Sequence, residues 1–222
     1  ILQKNHINYG QIIYMKIAAS QSNYLPWTGM FELINSVDKF VFFDTLQFTK
    51  KDWRTRNLIK STHGEMWLNV PVHKENINTN IIDIKIDNGQ KWREKHYKSF
   101  YNFYSRSKYF NEYKYLLDYL KMDWKFLYDL NRYTMESICD ALEIKTEIYY
   151  SEKINLKSND KNGRILEVVK ELDGDHYITG PKAKNYIDEG LFGNVELEYM
   201  KYKTKNNFTV LDNIFNNGVN VL

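Results

Sequence analysis

The chain has 222 residues and a net charge of +3 at pH 7, from 31 basic and 28 acidic side chains, and 43% of its residues are hydrophobic. The near-balanced charge excludes a polybasic arm for nucleic acid, and no apolar run approaches the roughly 18 residues that a membrane-spanning helix needs. The single cysteine, Cys139, excludes an internal disulfide and favours the cytoplasm. We therefore expect a globular cytoplasmic protein with no nucleic-acid partner and no membrane span.

The first part of the chain alternates apolar and polar stretches in the way of an α/β fold. Met15 directly precedes the first apolar run, so we expect residues 1–14 to be a leader foreign to the domain. Residues 66–72 and 80–86 are predicted as strands, with Pro71 near a strand end or sheet edge. The elements predicted before them are a strand at 16–20, a polar loop at 21–27, a helix at 28–34 and a strand at 39–44.

From about residue 91 to 142 the pattern becomes helical. Apolar and aromatic side chains recur at spacings of three and four, which predicts at least three amphipathic helices, the last two within 116–127 and 126–142. The sequence therefore predicts one α/β domain, residues 15–222, whose mixed or parallel sheet is interrupted by a helical insertion. The elements predicted after the insertion are a strand at 147–150, a helix at 164–172, a strand at 176–179 and helices at 183–189 and 208–215.

Several well-defined catalytic motifs are absent from the sequence. It has no Gly-x-Gly-x-x-Gly, no Walker-type Gly-Lys-Ser/Thr, no His-Glu-x-x-His, no cysteine pair and no Gly-x-Ser-x-Gly. These absences disfavour a Rossmann dehydrogenase, a P-loop ATPase, a zinc protease and a serine hydrolase. None of the five histidines has a partner at metal-ligand spacing, so we expect no metal site.

The polar loop Gln-Ser-Asn-Tyr-Leu-Pro-Trp at residues 21–27 follows the first strand. Open α/β sheets bind ligands at the carboxyl ends of their strands. Gln21 and Asn23 offer amide donors and acceptors, and Tyr24 and Trp27 offer stacking faces. The helix that starts after the loop would add free N–H groups for an anion. The alternative interpretation is a capping turn whose aromatic rings pack onto the core.

A cationic loop at residues 48–57 follows the second strand and is expected at the same edge of the sheet. Lys50, Lys51, Arg54 and Arg56 place four cations within seven residues. Arginine forks match phosphate or carboxylate groups, and lysine adds point charge. The sequence therefore predicts an anion site here, and the alternative is a solvated surface loop.

Further candidate site residues lie at strand ends and on a helix. Asp44 ends the second strand, where it would contact a ligand or pair with the nearby cations, and Asn57 closes the cationic loop. His96 is either a proton acceptor or a core histidine on an apolar helical stripe. Thr179 and Gly180 form a strand-to-helix turn that contacts a ligand or caps the next helix.

Taken in order, seven segments resemble the WbqC-like family. The resemblance extends from about residue 16 to 215. It implies a transferase of bacterial surface-polysaccharide biosynthesis (O-antigen, lipopolysaccharide) that acts on a nucleotide-activated amino sugar. The implied reaction is acyl or aminoacyl (glycyl) transfer to the sugar amine. The segments are Gln-Ser-Asn-Tyr-Leu-Pro-Trp at 21–27, Asp-Lys-Phe-Val-Phe-Phe-Asp at 38–44, Leu-Gln-Phe at 46–48, Trp-Arg-Thr-Arg-Asn at 53–57, Trp-Leu-Asn-Val-Pro-Val at 67–72, Trp-x-x-x-His at 92–96 and Tyr-Ile-Thr-Gly at 177–180.

A weaker similarity links the element order of residues 16–48 to pantothenate synthetase and other nucleotidylyltransferase-like enzymes. It implies a nucleotidylyltransferase-like sheet, an ATP-dependent amide ligase reaction and ATP as a candidate co-substrate. Residues 24–27 depart from the His-x-Gly-His type motif that binds ATP phosphates in those enzymes. Either the adenylation step is absent, or the cations of residues 50–56, among them Lys50, Arg54 and Arg56, neutralise the phosphates instead.

If the implied function is right, we expect the following roles for the candidate residues. Gln21, Asn23 and Tyr24 would position the sugar or base, and Asp52 or His96 would take the proton of the attacking amine. The alternative function is a non-catalytic protein that binds a nucleotide sugar or carbohydrate. The acyl donor, the particular sugar and the oligomeric state stay open at this point.

Overall fold

The structure, a computed structural model, describes residues 7–8, 11–12, 14–74 and 78–222 of the chain. The leader expected at residues 1–14 lies mostly outside the described residues. No helix in the described ranges is both long and apolar enough to cross a membrane. The strands, in chain order, are β1 (Ile7–Asn8), β2 (Gln11–Ile12), β3 (Lys16–Ser20), β4 (Lys39–Phe42), β5 (Arg56–Ser61), β6 (Gly64–Asn69), β7 (Glu147–Tyr150), β8 (His176–Thr179) and β9 (Glu196–Tyr199).

Six α-helices accompany the strands in the part of the chain that the structure describes, and short 3₁₀ segments connect several of them. The longest 3₁₀ segment, Lys114–Lys121, lies in the middle of the chain. The helices are α1 (Thr28–Asn35), α2 (Trp92–Tyr104), α3 (Phe110–Tyr113), α4 (Leu127–Ala141), α5 (Lys161–Glu171) and α6 (Val210–Asn217).

The central sheet has five strands in the order β7-β4-β3-β8-β9, and its neighbouring strands are all parallel. The predicted α/β class with a parallel sheet is therefore confirmed. Between β4 and β7 the chain makes the antiparallel β5–β6 hairpin and then α2, α3 and α4. The helical insertion expected at about residues 91–142 is thus present, and it lies between two strands that pair in the sheet.

The inner strands are buried on both faces, which is why they read as apolar runs in the sequence. Ile17 and Val41 point to the core that contains α5, whereas Ala18, Phe40 and Phe42 point to the larger core that contains α1, α2, α4 and α6. All five side chains are fully buried. The alternation follows from the two-residue repeat of a strand.

The strand predicted at residues 80–86 is wrong. The segment instead forms a 3₁₀ turn, Ile81–Asp83, and its buried residues are Ile81, Ile84 and Ile86. The backbone N–H groups of residues 81 and 82 donate to the carbonyls of Leu46 and Asp44. Because Ile81 and Ile84 lie three residues apart, a 3₁₀ turn places both on one face, whereas a strand would have separated them.

Two predicted helices are also shorter or tighter than expected. The 3₁₀ segment Lys114–Lys121 replaces the α-helix expected at 116–127, and Pro181–Asn185 replaces the one expected at 183–189. In both segments apolar side chains keep the expected spacing, but the hydrogen bonds close over three residues. β6 ends at Asn69, so Pro71 lies just beyond a strand end, as predicted.

Candidate functional site

The strand order of the sheet reverses between β3 and β8. β3 is followed along the chain by β4 and β7 on one side, and β8 and β9 then add on the other side. Ligands bind at such a switch point, outside the carboxyl ends of the strands. β3 pairs with β8 only at Lys16↔His176 and Ile17↔Tyr177, whereas it pairs with β4 at four positions up to Ser20. The β3–β8 pairing therefore ends before the carboxyl ends of the two strands.

The turn after β8 lies at this switch point. Thr179 is buried at the end of the strand, and Gly180 follows it. A Cβ atom on Gly180 would lie 3.1 Å from the hydroxyl of Tyr202, so the turn is closely packed. Since β3 and β8 are parallel neighbours, Thr179 and Gly180 lie at the same sheet edge as the loop at residues 21–27.

The backbone of the 21–27 loop is held by side chains that come from β4 and β5. The Ser22 N–H donates to Asp44 Oδ1 at 2.8 Å, and both residues are fully buried. Asn57 Nδ2 donates to the carbonyls of Tyr24 and Leu25, at 3.3 and 2.7 Å. Asp44 and Asn57, two predicted ligand residues, therefore fix the shape of the loop through its main chain.

Asn131 of α4 joins the 21–27 loop to the cationic loop. Its Nδ2 donates to the Ser22 carbonyl at 3.3 Å and to the Arg54 carbonyl at 3.0 Å, and the side chain is buried. The Tyr24 N–H adds a direct bond to the Trp53 carbonyl at 2.9 Å. The two loops therefore lie side by side.

Arg54 is the centre of a polar cluster between these loops. Its guanidinium donates to Gln21 Oε1 and Asp52 Oδ2, and also to Thr49 Oγ1 at 2.8 Å. The Arg54 backbone N–H donates to Asp52 Oδ1 at 3.0 Å. Burial lowers the pKa of Arg54, and the Asp52 carboxylate opposes that change. The structure thus brings three predicted site residues into direct contact: Gln21, Asp52 and Arg54.

A buried ion pair between Arg132 and Asp44, which the sequence did not reveal, lies next to this cluster. Arg132 of α4 donates through Nε to Asp44 Oδ2 at 2.7 Å and through its two Nη atoms to Glu152, at 2.6 and 3.0 Å. The rings of Tyr128 and Tyr150 lie 4.7 and 4.8 Å from its Cζ. Burial raises the pKa of Asp44 more than Arg132 and Ser22 lower it. The only sequence signal was an arginine on an otherwise apolar helical stripe.

His96 lies beneath the 21–27 loop rather than among its polar groups. Its Nδ1 is 2.7 Å from the Tyr24 hydroxyl, which is 2.8 Å from the Tyr119 hydroxyl. All three side chains are buried, so the ring faces of Tyr24 are covered by protein. Burial lowers the pKa of His96 to about 4, and a hydrogen bond with the Asn69 backbone opposes the shift.

The burial of His96 predicts an acid-sensitive contribution to stability. The unfolded chain takes up the His96 proton below pH 6.5, whereas the folded protein resists it down to about pH 4. The contribution of His96 to the free energy of unfolding is therefore fully present above pH 6.5. It falls by roughly 3 kcal/mol as the pH is lowered to 4. Urea unfolding at pH 7 and pH 4 measures the loss, which His96→Gln should reduce. His63→Gln, in the exposed β5–β6 turn, should keep the wild-type loss; equal losses in all three proteins would contradict the assignment.

The other predicted residues are less enclosed. Lys50 is exposed, and Asn23 is half-buried, with its N–H 3.4 Å from Met135 Sδ. Arg56 begins β5, and its Cζ lies 4.3 Å from the centre of the Trp67 ring. Among the described residues, no group of three or more His, Cys, Asp or Glu side chains is arranged to hold a metal ion.

Trp27 is half-buried and lies over the start of α1. Its ring atoms would be 2.5–2.8 Å from a Cβ atom on Gly29, so only glycine leaves room for the indole. The ring also contacts Tyr202, with centroids 4.8 Å apart. Any anion held by the first N–H groups of α1 would therefore meet the edge of this indole.

Comparison with known proteins gives one family and one relative. The family model described as the WbqC-like protein family matches residues 21–222. The uncharacterized protein Rv1507c of Mycobacterium tuberculosis (strain ATCC 25618 / H37Rv) is 34% identical to this chain over an alignment 219 residues long. The alignment covers 91% of this chain and 94% of that protein. No solved structure matches the chain.

Proposed function

The chain belongs to the WbqC-like protein family, and from that premise we propose that it is an enzyme of bacterial surface-polysaccharide (O-antigen) biosynthesis. Its substrate in this proposal is a nucleotide-activated amino sugar, and the reaction transfers an acyl or aminoacyl group, such as glycyl, to the sugar amine. The proposed location is the cytoplasm, where the buried free thiol of Cys139 stays reduced.

The observation that carries the proposal is the position of Arg54 at the carboxyl edge of the sheet. Its Nε is buried and has no hydrogen-bond partner among the described residues. A guanidinium fork binds phosphate oxygens in a bidentate manner, and such charge-assisted bonds are the strong ones. Residues 50–57 contain four cations and one carboxylate, so the loop keeps a net positive charge around this group. A diphosphate would complement that charge.

The proposed chemistry needs a proton acceptor beside the phosphate site. The sugar amine attacks an activated acyl carbonyl, an N–C bond forms, the C–O bond to the leaving phosphate breaks, and the amine proton leaves. We assign the proton to Asp52, which contacts Arg54. His96 is neutral at pH 7 because its pKa is about 4, so we assign it a positioning role through Tyr24.

ATP is the proposed source of acyl activation, as in nucleotidylyltransferase-like enzymes. The strand order β7-β4-β3-β8-β9 supports this comparison, because it places the 21–27 loop at the switch point of a parallel sheet. In place of histidines, Arg56 would supply charge for the ATP phosphates, which leaves Lys50, Lys51 and Arg54 for the diphosphate of the nucleotide sugar.

Turnover tests the proposal directly. The protein is incubated with a nucleotide-activated amino sugar, ATP and glycine, and mass spectrometry is used to detect a product heavier by one glycyl unit. Arg54→Met is expected to raise the Kd for the nucleotide sugar about tenfold to a hundredfold, the loss typical of hydrogen bonds to a charged group. Arg93→Met, at a half-buried arginine of α2, is the matched control and should bind normally. Unchanged binding and turnover in the double variant Arg54→Met, Asp52→Asn would refute the assignment.

A non-catalytic nucleotide-sugar or carbohydrate-binding protein is the second candidate. It is favoured by one observation: both predicted proton acceptors are already engaged by protein groups. Asp52 accepts bonds from Arg54 and Thr49, and His96 is buried against Tyr24. Nucleotide-sugar binding without any glycyl product, across a panel of amino sugars, would support this candidate over the enzyme.

A further inference from the structure

Two tryptophan rings form an exposed pair next to the cationic loop. Trp53 and Trp67 are 43% and 44% exposed, and their ring centroids are 5.5 Å apart with an interplanar angle of 38°. Trp53 belongs to the loop before β5, and Trp67 belongs to β6. Two exposed indoles side by side leave a large apolar area in contact with water. Folding does not favour such an area, whereas a ligand-binding site accounts for it.

The pair is supported from within the β5–β6 hairpin. The Arg56 guanidinium lies over the Trp67 ring, with Cζ 4.3 Å from its centre. Arg56 pairs with Asn69 across the hairpin and Leu58 pairs with Trp67, so Arg56 and Trp67 are diagonal neighbours on one face. A cation stacked on an indole restrains the ring, which prepares its surface for a flat ligand.

Cations flank Trp53 along the loop. Lys50 and Lys51 are exposed and lie three and two residues before Trp53, and Arg54 follows Trp53 directly. Lys51 has a left-handed backbone with φ of 57°, which marks a tight turn at this point. Aromatic rings stack on nucleobases, while lysine and arginine bind phosphates. The combination matches a ligand that joins a flat base to a short polyphosphate.

We propose that the Trp53–Trp67 pair is the binding surface for the base of a nucleoside diphosphate, whose phosphates contact Lys50, Lys51 and Arg54. This inference rests on the proposed function. It adds that the nucleotide sugar binds with its base on the exposed Trp53–Trp67 pair. A single nucleotide fits better than a nucleic-acid strand, because the cations are concentrated in residues 50–56 while the whole chain is close to neutral.

Binding of three probes separates the base from the phosphates. Uridine diphosphate, adenosine diphosphate and inorganic pyrophosphate are titrated into the full chain, with tryptophan fluorescence and calorimetry as the readouts. Trp53→Ala and Trp67→Ala should each raise the Kd of the preferred nucleoside diphosphate about fivefold to a hundredfold, since stacking contributes about 1–3 kcal/mol per base. The Kd of pyrophosphate should not change. Trp→Phe at both positions should restore most of the affinity.

The controls make each failure distinct. Tyr115→Ala, at an exposed aromatic on another face, should bind like the wild type, and circular dichroism confirms the folding of each variant. An unchanged nucleotide Kd in both tryptophan variants overturns the inference alone. A parallel loss of pyrophosphate binding also overturns it, because the rings would then only shape the loop. Tighter binding of a single-stranded oligonucleotide than of any mononucleotide overturns it in favour of nucleic acid. A wild type that binds no nucleotide overturns both this inference and the proposed function.

Discussion

Arg132→Met should lower the free energy of unfolding by about 3–5 kcal/mol, the loss expected when one partner of a buried ion pair is removed. Asp44 is 0% exposed and, among the described residues, would keep the Ser22 N–H as its donor. Glu152 would lose both of its bonds to the guanidinium. Methionine fills much of the arginine volume, so the loss reports charge and hydrogen bonding more than a cavity. Urea unfolding at pH 7 measures it.

A matched substitution tests whether burial is the cause. Arg93 also pairs with an aspartate, Asp123, but that partner is exposed, so Arg93→Met should change the free energy by no more than about 0.5 kcal/mol. Adding Asp44→Asn to Arg132→Met should recover part of the loss, because the uncompensated buried charge is then removed. A loss below about 1 kcal/mol for Arg132→Met, or no recovery in the double variant, would contradict the role of this pair.

The position of this ion pair also connects stability with the candidate site. Asp44 accepts from the Ser22 N–H with one oxygen and from Arg132 with the other. Without Arg132, we expect the Asp44 carboxylate to rotate or to take up a proton. The Ser22 N–H at the start of the 21–27 loop then loses its hydrogen bond to Asp44. Gln21, which contacts Arg54, is the neighbouring residue. We therefore expect ligand affinity to fall together with stability in this variant.

The fold was predictable where burial is simple. β3, β4 and β8 lie inside the sheet, so their apolar runs predicted their positions correctly. The position of β7 was also predicted correctly, because it follows the end of a helical stripe. β9 was missed because it is a four-residue edge strand, Glu-Leu-Glu-Tyr, in which exposed and half-buried residues alternate. The strand expected at 80–86 failed because the segment carries two patterns. The isoleucines at 82, 84 and 86 alternate as in a strand, whereas Ile81 and Ile84 have the spacing of three that suits the 3₁₀ turn, and both are buried.

The candidate site was predictable only where it is built from neighbouring segments. Gln21 and Arg54 follow adjacent strands, and parallel strands put their carboxyl ends at one edge. Asn131 and Arg132 come from a helix more than 75 residues further along the chain, and helical periodicity gives the buried face of that helix but not what it meets. For the same reason Asp44 and His96 were recognisable as unusual residues, while their partners were not.

Asn131→Asp is expected to destabilise the protein by about 3–5 kcal/mol at pH 8, although the two side chains have nearly the same shape. The substitution replaces an NH₂ group that donates to the Ser22 and Arg54 carbonyls with a carboxylate oxygen that faces both. A buried charge is then left without a donor, and two carbonyls lose their partner. Urea unfolding of the variant and the wild type, at the same pH, gives the difference.

The pH dependence of this loss distinguishes charge from shape. Burial without a donor raises the pKa of the introduced carboxyl above its unfolded value, so the penalty is full at high pH and declines as the pH falls through the folded pKa. The difference between variant and wild type should therefore be smaller at pH 5 than at pH 8. Asn102→Asp, on the exposed face of α2, should show no such trend. An equal difference at both pH values would mean that Asn131 only fills space. A difference that shrinks on acidification would instead show that its two hydrogen bonds keep the 21–27 loop and the cationic loop together.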